Sequence, residues 1–175
     1  MGLENDTIQR DKFQEFYIRV APPLRGYIGR VCGNPALADD LFQESFLKFL
    51  RTVRWSAPER QQKAFIFKIA ARLIIDHIRR IKPASLDKAA RTEVAGSAAV
   101  ARHEGLGPDM KKVFALLKPR DRSLLWLAYV EGYSHEEIAE MMGLNAKSVK
   151  VLLFRLRGSF AASLRSKGYG LEEQS

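Results

Sequence analysis

Cysteine is almost absent from this chain of 175 residues: Cys32 stands alone, so neither an internal disulfide nor a cysteine-cluster zinc site can form. Beside Gly33, at a predicted helix end, its thiol reads as packing rather than as a redox switch. Histidine is scarce too. His77, His103 and His135 are scattered without ligand spacing, so no metal is expected. No apolar run approaches the length that spans a bilayer and no signal peptide is recognisable, which predicts a soluble cytoplasmic chain. Strand signals are nearly missing, and almost every periodic stretch is helical. Also missing are a phosphate-binding glycine loop, a carboxylate cluster for a metal and a nucleophile–base pair. Asp39 and Asp40 are helix neighbours that point in different directions. Nothing therefore supports an enzyme, a cofactor or a small-molecule substrate.

What is abundant is positive charge. Lys plus Arg number 29 against 20 Asp plus Glu, a net charge of +9, which suits a nucleic-acid or acidic-surface partner without selecting one. The surplus is uneven: residues 1–82 carry +6, residues 83–107 are neutral and residues 108–175 carry +3.

The stretch EGYSHEEIAEMMGLNAKSVKVLLFRLR, from Glu131 to Arg157, holds the strongest local pattern. Ser134 and Glu137 have capping-box spacing. Ile138, Ala139 and Met142 form a short buried stripe, and Gly143 can take the left-handed turn that stops a helix. Asn145 can cap a second helix, with Val149, Leu152, Leu153 and Leu156 on its inner face. This is the helix-turn-helix pattern, whose second helix enters the DNA major groove. The first helix carries Glu131, Glu136, Glu137 and Glu140, whereas no acidic residue occurs from Met141 to Gly170. Duplex DNA repels the first face and attracts the second. An ordinary helical hairpin with a solvated basic face is the alternative reading.

Earlier in the chain, Phe13, Phe16, Tyr17 and Val20 make one stripe. Pro22-Pro23 is expected to interrupt it and open a second helix bearing Leu24, Tyr27, Ile28 and Val31. Asn34-Pro35 caps a helix running to about Thr52, with Leu37, Leu41, Phe42, Phe46, Phe49 and Leu50 as its apolar positions. RWSAPERQ, residues 54–61, reads as a loop. A long helix follows, from about Gln62 to Ile81, with Ile66, Ile69, Ala70, Leu73, Ile74 and His77 inward. Lys68, Arg72, Ile75 and Arg79 lie one above another on its opposite face, with Phe65 at the edge. Exposed apolar groups among cations suit stacking on bases or wedging between them; a solvated face is the bland alternative. Residues 83–107, rich in Ala, Ser and Gly, read as a flexible linker. Pro108 and Pro119 each start a helix, the first with Met110, Val113, Leu116 and Leu117 inward. The predicted architecture is all-α: two small helical domains, residues 1–82 and 108–175, the second a four-helix domain containing the helix-turn-helix.

Three segments in this order resemble the extracytoplasmic-function (ECF) group of the sigma-70 family, the promoter-specificity subunits of bacterial RNA polymerase. They are ALADDLFQESFLKF, AFIFKIAARLIIDHIRR and LLKPRDRSLLWLAYVEGYSHEEIAEMMG. The resemblance implies a binding module without catalysis of its own. Its first domain would hold core polymerase and open the −10 element; its second would bind the −35 element as duplex. Docking on the basic coiled coil of the largest polymerase subunit would fall to Asp40, Gln43, Glu44 and Phe46, with Leu47 as apolar support. The −10 part would comprise Arg54, Trp55 and Lys63 of the loop region, where a base is captured. It would continue along Phe65, Lys68, Arg72, Ile75, Asp76, Arg79 and Arg80. The −35 part would comprise Ser134, Asn145, Lys147, Ser148 and Lys150, then Val151, Phe154, Arg155 and Arg157. An anti-sigma factor, often at the membrane, would be a further partner beside core polymerase and promoter DNA.

The sequence departs from the family pattern at informative places. The family's Asn is Arg72 here, which bears on the base favoured beside that helix. The usual T-V-K-S-R-L-h-R-A-R reads SVKVLLFRLR, so Ser and Arg become Val151 and Leu152, and His becomes Phe154. Val151 and Phe154 are expected either to contact thymine methyls or to form an apolar patch that a regulator covers. A stand-alone helix-turn-helix regulator is the competing function; the acidic helix bearing Gln43 and Glu44 argues against it.

Overall fold

The computed structural model describes residues 2–81, 108–166 and 168. Every regular element among them is an α-helix, and they form two compact units. The stretch 83–107 read as a linker lies outside the described residues.

The first unit comprises α1 (Gly2–Cys32), α2 (Pro35–Thr52) and α3 (Glu59–Ile81), each packed on the other two. Its core is strongly aromatic. Phe16 stacks on Phe49 with ring centroids 4.8 Å apart, and Tyr27 lies 5.5 Å from Phe67. Contrary to the expected break, α1 runs straight through Pro22 and Pro23. The reason is burial. Phe16, Val20, Leu24, Tyr27, Ile28 and Val31 form one continuous buried stripe across the prolines. An internal proline costs about 3 kcal/mol, whereas each large buried side chain contributes about 1.5–3 kcal/mol. The carbonyls deprived of a donor belong to Ile18 and Arg19, on the exposed side of the helix, where water can satisfy them.

The start of α2 follows the expectation: Asn34 Oδ1 accepts from the Leu37 N–H at 3.2 Å and Pro35 is the first helical residue. Helix α3 begins three residues ahead of the predicted Gln62. The Pro58 carbonyl accepts from Gln61 and Gln62 N–H, and the Glu59 carboxylate in the first turn receives Arg19 of α1 at 2.8 and 3.1 Å. Those contacts extend the helix backwards over residues that a loop reading leaves unpaired.

The second unit comprises α4 (Pro108–Ala115), α5 (Pro119–Tyr129), α6 (His135–Met142) and α7 (Ala146–Ser166), with α7 packed against the other three. Val113, Phe114, Leu124, Leu127, Ile138, Val149 and Leu153 are buried at its centre. Leu116, predicted inward, is 71% exposed. Helix α4 tightens at its end, where Leu116 N–H bonds the Val113 carbonyl and Leu117 N–H that of Phe114. Helical spacing lapses there, and Phe114 takes the inward place.

Candidate nucleic-acid and partner interfaces

Three surfaces carry the predicted functional residues. On α2 the core positions Leu41, Phe42, Phe46 and Phe49 turn inward and leave an outer stripe of Asp40, Gln43, Leu47 and Leu50. Leu47 is 57% exposed and Leu50 43%. Two residues assigned to docking behave differently. Phe46 is buried, its ring 4.9 Å from Tyr17 and 5.1 Å from Phe42, so it is a core residue rather than a contact. Glu44 is half-buried and paired with Lys48 at 2.9 Å. It lines a groove between α2 and α3 with Lys48, Asp76, His77 and Arg80. Leu50, read in the sequence as one more apolar core position, instead extends the exposed stripe. Asp39 serves neither surface: Arg25 of α1 donates to it at 2.6 Å while lying 4.1 Å over the Phe42 ring, a clasp between helices.

On α3 the outer face is narrower than the sequence suggested. Arg72, Arg79 and Arg80 are exposed, whereas Phe65, Lys68 and Ile75 are half-buried. The Phe65 ring lies 6.1 Å from Phe49, so it is no free wedge. Lys63 places its ammonium 5.5 Å from the centre of the Phe67 ring. Asp76 and Arg80 turn toward α2 and line the groove instead of continuing the ridge of Lys68, Arg72, Ile75 and Arg79.

The loop ahead of α3 is held from two sides. Trp55, expected to help capture a base, packs its indole edge-on against Phe13, Phe16 and Phe49 at 6.4, 6.1 and 5.9 Å. These contacts anchor the loop to the core and leave the indole half-buried. From below, the buried Gln62 side chain donates to the Ala57 carbonyl at 2.7 Å and to that of Trp55 at 3.4 Å. In the sequence Gln62 marks the start of the helix and the end of the base-catching loop that the family resemblance implies; a lone glutamine carries no signal for a loop-holding role. Arg54 and Ser56 stay exposed on the loop. Gln62→Leu removes the donors and leaves two carbonyls without them, a cost of about 1–3 kcal/mol. The expected result is a lower thermal midpoint for the first unit and faster proteolysis within residues 53–58, read by limited digestion.

On the second unit the helix-turn-helix is built as the sequence predicted. Ser134 Oγ accepts from the Glu137 N–H at 3.2 Å, and the Ser134 N–H donates to Glu137 Oε2 at 2.8 Å, a complete capping box. The Glu136 carboxyl is held below its ordinary range by its own backbone N–H, then by the Ser134 hydroxyl and by neighbouring His135. Gly143 adopts φ 66° and ψ 40°, and the Leu144 N–H returns to the Ala139 carbonyl at 2.8 Å, closing α6. Asn145 Oδ1 accepts from the Lys147 N–H at 2.9 Å and starts α7. Ser134 and Asn145 thus build the motif. Lys147, Ser148, Lys150, Val151, Phe154, Arg155 and Arg157 are all exposed on α7. Phe154 is 74% exposed and Val151 48%, although both are apolar. Leu152 and Leu156, predicted inward, are half-buried beside the buried Val149 and Leu153.

Among the described residues, no group of three or more His, Cys, Asp or Glu could hold a metal ion, and no helix is long and apolar enough to cross a membrane.

Comparison with known proteins agrees with this arrangement of helices. Residues 16–83 match the family model of sigma-70 region 2, and residues 109–159 match that of sigma-70 region 4. The chain is 28% identical over 150 residues to the RNA polymerase sigma factor CarQ of Myxococcus xanthus, covering 83% of this chain and 85% of CarQ. It is 26% identical over 152 residues to the ECF RNA polymerase sigma factor SigW of Bacillus subtilis, covering 78% and 80%. Among solved structures, the sigma factor RpoE from Bartonella quintana, co-crystallised with the anti-sigma factor NepR, shares the fold. Its TM-score is 0.63 at 19% identity, covering 87% of this chain and 96% of that one. The chain belongs to the sigma-70 family of transcription-initiation factors, in its ECF group.

Proposed function

We propose that this ECF sigma factor divides its work among the three surfaces. The outer stripe of α2 (Asp40, Gln43, Leu47 and Leu50) docks on core RNA polymerase, where its carboxylate and apolar groups meet a basic, partly apolar coiled coil. The exposed arginines of α3, together with the loop fixed by Trp55 and Gln62, hold the opened −10 strand. The outer face of α7 binds the −35 element as duplex. The domain limits that go with this reading are residues 1–82 and 108–175. The chain works in the cytoplasm and performs no catalysis; polymerase supplies it.

The observation that carries the reading is the segregation of charge and exposure. In a basic protein, one exposed helix stripe is acidic and apolar, while the second helix of a fully capped helix-turn-helix is cationic and has no carboxylate. Capture of unpaired bases offsets the few kcal/mol that unstacking each step costs. The RpoE complex, in which a sigma factor is held by an anti-sigma factor, supports a similar partner for this chain. Such a partner would silence it by covering the DNA-facing surfaces and could tether it at the inner membrane.

Run-off transcription with purified core polymerase and a library of genomic fragments tests the proposal. Discrete transcripts that share −10 and −35 sequences are expected, and they identify the promoter at once. A chain that neither joins core polymerase nor starts transcripts would overturn it. One that binds DNA without exchanging against other sigma factors would be a stand-alone regulator.

A further inference from the structure

The outer face of α7 combines two chemistries. Lys147, Lys150, Arg155 and Arg157 are exposed cations, and no acidic residue occurs between Met141 and Gly170. Between these cations stand Val151 and Phe154, 48% and 74% exposed. They are spaced i, i+3 and share the face of Lys147 and Lys150. Neither contributes to the core of the unit, where Val149 and Leu153 of the same helix are fully packed.

Cations can secure a helix in the groove through phosphates, but they do not explain two exposed apolar side chains. Valine and phenylalanine have no hydrogen-bonding atoms beyond the backbone, so they cannot read the donors and acceptors of base edges. Set against guanine, cytosine or adenine edges, they would strip water from polar atoms and return nothing. The major groove presents one apolar group, the 5-methyl of thymine. Two side chains three residues apart are offset by about 4.5 Å along a helix axis, comparable to a base-pair rise of about 3.4 Å.

We propose that Val151 and Phe154 determine −35 specificity by contacting the 5-methyl groups of thymines at two neighbouring base pairs. The inference rests on the assignment of α7 to −35 duplex DNA. It deepens that assignment by naming the chemical group that is read. The cationic surround favours DNA over a protein as the occupant of this patch, because a polyanion satisfies the cations and the methyls satisfy the apolar pair in a single docking.

The test uses holoenzyme assembled from the full chain and core polymerase, on a promoter recovered by run-off transcription. Each −35 thymine is replaced in turn by deoxyuridine, which keeps base pairing and removes only the methyl. At two neighbouring positions the wild-type holoenzyme should lose about fourfold in affinity per methyl removed. In Val151→Ala and Phe154→Ala proteins, each thymine–uracil difference should shrink toward one at its own position. Both residues are exposed, so the variants should fold normally, and unchanged thermal midpoints would verify this. Promoter binding that ignores uracil overturns the proposal while leaving the −35 assignment intact. So does a −35 element without neighbouring thymines, or an alanine protein that retains full methyl sensitivity. Unchanged promoter choice with lost binding of a protein regulator also overturns it and marks the patch as a protein surface. If no −35 substitution of any kind alters binding, the assignment of α7 itself falls and the methyl contact with it.

Discussion

Leu47→Arg should lower the affinity of the chain for core RNA polymerase by about 100-fold while leaving its fold intact. Leu47 lies on the outer stripe of α2, 57% exposed, one turn beyond Gln43 and beside Leu50. Burying a leucine at an interface is worth about 1.5–3 kcal/mol, and the substitution forfeits it. It also sets a cation against the basic coiled coil to which the acidic stripe is proposed to bind, which adds a repulsive term. Together these reach about 3 kcal/mol, or roughly two decades in affinity. The core beneath is untouched, because Phe46 and Phe49 point the other way. Surface substitutions of this kind usually change stability by no more than about 0.5 kcal/mol. Competition against a labelled sigma factor for core polymerase measures the effect, with the thermal midpoint as control. Wild-type affinity in that competition would remove α2 from the docking surface. Phe46→Ala should behave in the opposite way. It costs about 3–5 kcal/mol of stability because it opens a cavity beside Tyr17 and Phe42, and any loss of polymerase binding would track unfolding.

The contrast between Leu47 and Phe46 shows where the sequence is legible and where it is not. Helical periodicity places both residues on an apolar helix, but the position of the neighbouring helix decides which one is covered. Tyr17 of α1 reaches across to Phe46, whereas Leu47 stays 57% exposed. Trp55 posed the same difficulty. An aromatic residue in a polar loop reads as a base-capturing group, and only the structure shows Phe13, Phe16 and Phe49 packed against it. At Pro22 and Pro23 the local backbone preference for a break yields to a stripe of burial on both sides. The helix-turn-helix was readable in detail because its determinants are local. Ser134, Glu137, Gly143 and Asn145 each satisfy or release backbone groups within five residues of themselves. Features held by contacts within one turn are written in the sequence; features held by contacts between helices have to be seen.

Replacing Arg72 and Arg79 together by alanine should reduce open-complex formation by about tenfold or more, with core binding unchanged. Both guanidinium groups are exposed on the face of α3 that carries Lys68 and Ile75, away from the groove shared with α2. Their proposed role is to hold phosphates of the separated strand, so their contribution should appear as counterion release. For single-stranded DNA each neutralised phosphate contributes about 0.7 to the slope of log affinity against log salt. Loss of two contacts should therefore flatten that slope by about 1.4. A merely structural role would lower activity without this change. Permanganate reactivity of unpaired thymines, followed across a salt series, reports melting and the slope in one experiment. Two further observations locate the defect. Wild-type affinity for core polymerase excludes a docking fault, and recovery on a template already unpaired around the −10 element assigns the loss to strand separation. Wild-type melting at every salt concentration would instead leave Arg72 and Arg79 as solvated cations. The capture of the opened strand would then rest on the loop held by Trp55 and Gln62, whose carbonyls and exposed Arg54 and Ser56 would have to supply the contacts.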